Sequence, residues 1–242
     1  MREYTSFATS EDRAVLSILA DDQTPPSEYR AALSKLGASL ADSLLTQLGS
    51  NLPNRLCIVC TVEDADSLAA GIVARLEESG VGERIRVVCF WNDRIELNGL
   101  SFAPILKEYR EPCDVTDSAL VVVKSIISSA CVVRTNLANL IAKAVPKRIF
   151  VVAPVMYKGA DESLRRDFVQ EISDRFEYIT MAIDDEKRDG KWIVPGVGGD
   201  IYTRLGYGGA ELKNRTEEDV SALQSRINST YTHFTMTHKQ QQ

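Results

Sequence analysis

Histidine is nearly missing from this chain of 242 residues: only His233 and His238 occur, both in a polar C-terminal stretch. A histidine general base, a zinc site or a serine-histidine hydrolase triad is therefore not expected in the folded region. Basic charge is in deficit as well, with 28 Lys and Arg against 34 Asp and Glu and a formal net charge of −6. That balance argues against direct nucleic-acid binding as the main role, because such affinity comes mostly from neutralised phosphates. No apolar run approaches the roughly 20 residues that span a bilayer; the longest are Ala119 to Val123 and Ile149 to Met156. The opening residues Met1-Arg2-Glu3-Tyr4-Thr5-Ser6 hold no apolar stretch of signal-peptide length, so a cytoplasmic chain without a membrane partner is expected. Five cysteines, an odd number placed mostly inside apolar runs, read as reduced core residues. Cys57 and Cys60 fall on opposite faces of a strand with no second pair nearby, which favours packing over metal binding. No internal repeat is present.

What is there falls into three parts. Residues 1–54 are polar with helical spacing: Ala14-Val15-Leu16 and Ile18-Leu19-Ala20 precede Pro25-Pro26, and Leu33, Leu36, Leu40 and Leu44 follow on one face. Two or three helices joined by a proline turn are expected, packed against something downstream. From Leu56 onward short apolar runs alternate with amphipathic stretches. Leu56–Cys60, Ile85–Phe90, Ala119–Val123, Arg148–Ala153 and Tyr178–Ile183 read as strands; Ser67–Arg75, Val132–Ala144 and Leu164–Phe176 read as helices. Continuous apolar strands separated by helices indicate an α/β fold with a mostly parallel sheet covered on both faces. Residues 91–118 have no clean period and read as an excursion or small hairpin. The last part, residues 210–242, is a polar segment with a possible helix over Thr216–Ile227 and a tail expected to be mobile.

In such a sheet, ligands bind where strands end and helices begin. Three junctions qualify: Thr61 to Ser67, Lys124 to Cys131, and the loop after Ile183. At the second, Ser128, Ser129 and Ala130 are small residues ahead of a helix, and Lys124 adds a cation. These would suit a phosphate, although small hydroxyl residues also cap helices. The stretch Trp192-Ile193-Val194-Pro195-Gly196-Val197-Gly198-Gly199-Asp200 is the most distinctive. Its glycines allow positive φ and close approach to a planar ligand. Asp200 is equally a ligand contact or a solvated loop acid, and Tyr202 and Arg204 could face a nucleotide or lie on the surface. Glu63, Asp64 and Asp66 are first-turn acids suited to a helix dipole, with a cation-ligand role as the alternative.

Four motifs carry a resemblance: Arg84-Ile85-Arg86-Val87-Val88-Cys89-Phe90-Trp91-Asn92-Asp93, Ala119-Leu120-Val121-Val122-Val123, Val151-Val152-Ala153-Pro154, and Trp192-Ile193-Val194-Pro195-Gly196-Val197-Gly198. In order and spacing they resemble the uracil phosphoribosyltransferase family, a branch of the type I phosphoribosyltransferase fold, over residues 55–209. The resemblance implies a homodimer and a pentosyl transfer from magnesium-bound phosphoribosyl pyrophosphate to uracil. It also implies a pyrimidine site at Val194, Gly196 and Gly198.

The chain departs from the family's needs at three points. Val123 and Lys124 stand where the family places an acid for the ribose hydroxyls, Ser128-Ser129-Ala130 replaces its threonine and glycines, and Glu63-Asp64-Ala65-Asp66 replaces its basic pyrophosphate loop. Like charges about 4 Å apart repel by roughly 1 kcal/mol in water and about 4 kcal/mol at an effective dielectric of 20. The expectation is therefore a degenerate homologue, a nucleotide- or protein-binding regulatory or effector component. It would have no catalytic residues, no metal site and no firm cofactor. Magnesium would enter only with phosphoribosyl pyrophosphate in an active transferase forming UMP, the alternative alongside a structural scaffold. The expected ligand contacts are Lys124, Ser128, Ser129, Ala130, Val194, Gly196, Gly198 and Asp200.

Overall fold

A computed structural model describes residues 1–93, 95–97, 100–129, 131–142, 144–189 and 192–208. The expected C-terminal helix and tail, Ala130, Lys191 and Gly209 lie outside the described residues. Five strands form the parallel heart of the sheet: β2 (Arg55–Thr61), β3 (Ile85–Asn92), β7 (Ser118–Val123), β9 (Arg148–Tyr157) and β10 (Phe176–Asp184). Antiparallel strands extend the two sides, β6 (Ile105–Arg110) beside β3 and β1 (Arg2–Tyr4) beside β10. A two-residue strand, β8 (Ile126–Ile127), resumes pairing with β9 past the end of β7. The spatial order is β6-β3-β2-β7-β9-β10-β1, so the chain leaves β2 in one direction and returns on its other side at β7. This reversal makes the β2/β7 junction the switch point of the sheet.

The strands form where they do because both of their faces are covered. Every residue of β7 is buried, and in β2 only Arg55 is exposed. On one face, Leu56, Ile58, Cys60, Val121 and Val152 pack beneath α1 (Ser10–Ala20), α2 (Pro26–Leu48) and α4 (Ala70–Glu78). On the other, Cys57, Val59, Leu120, Val122 and Val151 pack beneath α5 (Cys131–Ile141) and α6 (Ala160–Arg166). The period-2 alternation of a strand divides the apolar runs between these two cores, and it separates Cys57 from Cys60. All five cysteines are free thiols.

Helices α1 and α2 belong to the main core rather than to an appendage. Leu16, Leu19, Leu33, Leu36, Leu40 and Leu44 are fully buried in the same cluster as β2 and β7. Pro26 opens α2 at a position where its missing N–H costs nothing. The α2/α4 crossing is glycine against glycine: a Cβ at Gly37 would press on the Leu68 carbonyl oxygen, and one at Gly71 on the Ser34 carbonyl oxygen. Between β2 and α4 the chain forms α3 (Val62–Asp64) and then a π-helical turn, Ala65–Ala69.

Three expectations change in detail. The helix expected over Leu164–Phe176 is two short ones, α6 and α7 (Gln170–Ser173), because Phe168 turns inward to meet Phe176 edge to face at 5.4 Å. Arg165 then satisfies the freed carbonyls of Ser173 and Phe176 at 2.6 and 2.8 Å. Residues 91–118 contain the hairpin β4 (Ile95–Leu97) with β5 (Leu100–Phe102), and the side strand β6. The stretch Arg2–Tyr4, read as irregular, is a strand.

Candidate functional site

At the switch point β2 ends on Thr61 and β7 gives way to Lys124, whose N–H bonds the Val152 carbonyl at 3.1 Å and keeps the chain against β9. The Lys124 ammonium lies 2.9 Å from Thr61 Oγ1, 2.8 Å from Glu63 Oε1 and 2.8 Å from Asp64 Oδ2. An ammonium has three protons to donate, and all three are used. Asp64 is fully buried; its second oxygen accepts the Ser125 N–H at 3.0 Å, and its first is shared with the Thr61 hydroxyl at 3.0 Å. The second oxygen of Glu63 accepts the phenol of Tyr202, from α8 (Ile201–Arg204), at 2.8 Å.

Burial alone would push the Lys124 ammonium towards losing its proton, but Asp64 and Glu63 outweigh it and hold its pKa above the ordinary value. Burial, reinforced by the Glu63 charge, raises the Tyr202 phenol well above its ordinary value. The arrangement is therefore a saturated, buried network whose Glu63 and Asp64 charges face a cation supplied by the chain itself. The hydroxyls of Ser67 and Ser125, also buried at this junction, have no hydrogen-bond partner among the described residues.

The glycine-rich stretch is held from the other side. It follows β12 (Trp192–Val194), which pairs with β11 (Glu186–Arg188), and begins with a cis Val194–Pro195 bond. Gly196 donates its N–H to the fully buried Asp184 carboxylate at 2.9 Å, and its carbonyl accepts from Arg2 at 2.6 Å. Arg2 grips the same carboxylate with two nitrogens at 2.9 and 2.8 Å. Gly196 has φ of 56°, and a Cβ there would strike the Ile193 carbonyl; Gly198 has φ of 77° and lies against the Leu19 carbonyl of α1. Tyr29 donates its phenol to the Val197 carbonyl at 2.8 Å.

The structure thus divides the expected ligand contacts into three groups. Lys124 is drawn into the switch-point network. Ser128, half-buried, and Ser129, exposed, stand between β8 and α5, and Ala130 lies outside the described residues. Gly196 is engaged by Asp184 and Arg2, and Val194 is a half-buried hairpin residue. Gly198 and Asp200 line an open cavity of about 500 Å³ together with Gln23, Thr24, Thr203 and Arg204. Asp200 also caps α8, accepting the Thr203 N–H at 3.0 Å and hydroxyl at 2.8 Å. Arg204 and Tyr202 are both buried rather than facing solvent. Arg204 reaches the Asp21 and Asp22 carbonyls while its guanidinium lies 4.7 Å from the Tyr29 ring centroid. The sequence reading missed Gln23 and Thr24, whose only signal was their place before the proline turn.

Magnesium, which phosphoribosyl pyrophosphate would bring with it, does not fit the acidic turn. The Glu63 and Asp64 oxygens that would ligate it are already occupied by an ammonium, a phenol, a hydroxyl and an amide N–H. Among the described residues no group of His, Cys, Asp and Glu could hold a metal ion.

No protein-family profile matches the chain, and no curated protein matches it. Among solved structures, the AQ2163 protein from Aquifex aeolicus superimposes with a TM-score of 0.63 at 17% identity, over 82% of this chain and 95% of that one. The two share a fold. Weaker overlaps occur with type I phosphoribosyltransferases. The hypoxanthine phosphoribosyltransferase of Trypanosoma cruzi, in complex with IMP, matches at 16% identity, over 67% of this chain and 79% of that one, with a TM-score of 0.41. The hypoxanthine-guanine enzyme of L. donovani matches at 18% identity, over 65% and 79%, with a TM-score of 0.35. No helix among the described residues is long and apolar enough to cross a membrane.

Proposed function

We propose that this chain is a degenerate phosphoribosyltransferase-like protein that binds a nucleotide or nucleobase, or a protein partner, as a regulatory or effector component and does not transfer phosphoribose. The observation that carries the reading is the saturated network at the switch point. A transferase must present cationic and N–H donors to a pyrophosphate there. In this chain the Lys124 donors are spent on Glu63, Asp64 and Thr61, and the neighbouring charge is acidic. Opening that network would leave Glu63 and Asp64 buried without a counter-charge, at several kcal/mol.

The ligand, in this reading, sits in the cavity beside Gly198 and Asp200. There the Gln23 amide and the Thr24 and Thr203 hydroxyls offer donors and acceptors to a base edge, and Ser128 and Ser129 lie at the entrance to α5 for a phosphate.

Calorimetry with the full chain tests this. Phosphoribosyl pyrophosphate with magnesium is expected to give no binding heat, and UMP is expected to bind without turnover. Formation of UMP from uracil and phosphoribosyl pyrophosphate would replace the reading with an active transferase. If neither ligand moves the melting temperature, a structural scaffold becomes the better account.

A further inference from the structure

Strand β6 ends the sheet on the β3 side, and no described strand pairs with its outer edge. We propose that this edge binds the β6 edge of a second copy of the chain, antiparallel and centred on Tyr109, joining two sheets into one. The proposal is independent of any ligand.

The argument begins with the ladder to β3. Glu111 donates its N–H to the Val87 carbonyl at 3.0 Å, and the register then pairs Tyr109 with Cys89 and Lys107 with Trp91. Alternation turns the N–H and C=O groups of Lys107, Tyr109 and Glu111 towards β3, leaving those of Glu108 and Arg110 directed outward. A second antiparallel strand can bond only to outward groups, so a two-fold pairing must place even-numbered residues opposite even-numbered ones.

Three such registers are available, and charge selects among them. Centring on Lys107 sets lysine against lysine, and centring on Glu108 sets glutamate against glutamate. Centring on Tyr109 sets Glu108 against Arg110 of the second copy, Lys107 against Glu111, and the two tyrosines against each other. The sequence Lys107-Glu108-Tyr109-Arg110-Glu111 inverts its charges about its own centre, so only a copy of itself meets every charge with its opposite. Directly opposed unlike charges stabilise strand pairs and like ones oppose them.

Charged side chains on a sheet edge ordinarily discourage pairing; here their order forbids two registers and favours the third. Arg110 already reaches Asn139 of α5 and Glu108 of its own strand. Its guanidinium has five donors, enough to hold Asn139 and a facing glutamate together. Beyond Glu111, Pro112 has no N–H to give, and towards the N-terminus the register with β3 shifts near Leu106, so the ladder is short.

The test is sedimentation of the full chain across a concentration series. The unaltered protein is expected to show a monomer-dimer equilibrium. Glu108→Arg, which sets arginine against arginine, is expected to give a monomer at every concentration. The swap Glu108→Arg with Arg110→Glu is expected to restore the dimer. An independent check is Tyr109→Cys in a Cys113→Ser background. Non-bonded partners in antiparallel strands lie about 4.5 Å apart at Cα, within reach of a disulfide, so oxidised glutathione should cross-link the two copies. The proposal is overturned if the unaltered chain stays monomeric, as it would if residues 209–242 cover this edge, or if Glu108→Arg dimerises as well as the parent.

Discussion

Lys124 is a residue whose effect depends on company. Replacing it with methionine strands two carboxylates in the interior, and breaking a buried pair in that way costs about 3–5 kcal/mol. Lys124→Met is expected to lower the urea midpoint by that amount. Adding Glu63→Gln and Asp64→Asn, which removes the stranded charges, should recover most of the loss. Equal instability of the single and triple variants would show that the charges are not what the lysine serves. The sequence reading found each of these residues and assigned Lys124 to a phosphate. What it could not see is that positions 60 and 61 apart in the chain meet, because the reversal of strand order at β7 brings them together. Arg204 and Asp200 were misjudged for the same reason: their partners lie on the α1–α2 turn and within α8, and neither is visible from local spacing.

At the scale of elements, legibility followed burial. The parallel strands were readable because strands covered on both faces are continuous apolar runs. Strand β1 was not, because three residues of mixed polarity become a strand only through pairing with β10. The fit of α2 on α4 was hidden as well, since Gly37 and Gly71 in isolation look like weak points in two helices. They are instead the points of closest approach. Gly71→Ala would gain roughly 0.5–1 kcal/mol of helix propensity, but the added methyl meets the Ser34 backbone, which cannot rotate away. A net destabilisation of about 1–3 kcal/mol is expected from overpacking, read by thermal denaturation. Ala38→Gly, on the same helix α2 and half-buried, should lose only its propensity.

For the molecule as a whole, the raised pKa values of Lys124 and Tyr202 act in one direction. Between pH 7 and 9 both groups hold their protons whether the chain is folded or not. Above about pH 10 the unfolded chain releases protons that the folded one keeps, so stability is present below that pH and is lost as pH rises beyond it. A melting temperature that is level to pH 9 and falls from about pH 10 is expected; a rise in that range would contradict the network. The buried Asp184 has a different consequence. Its partner Arg2 lies 182 positions earlier, so on a ribosome adding roughly 5–20 residues each second the arginine waits on the order of ten to forty seconds for its carboxylate. Throughout that interval the leucine stripe of α2 has no completed sheet to cover. The nascent polypeptide must pass a long stretch of its synthesis with oily surface bared, which makes it a natural client for a chaperone stationed near the exit tunnel.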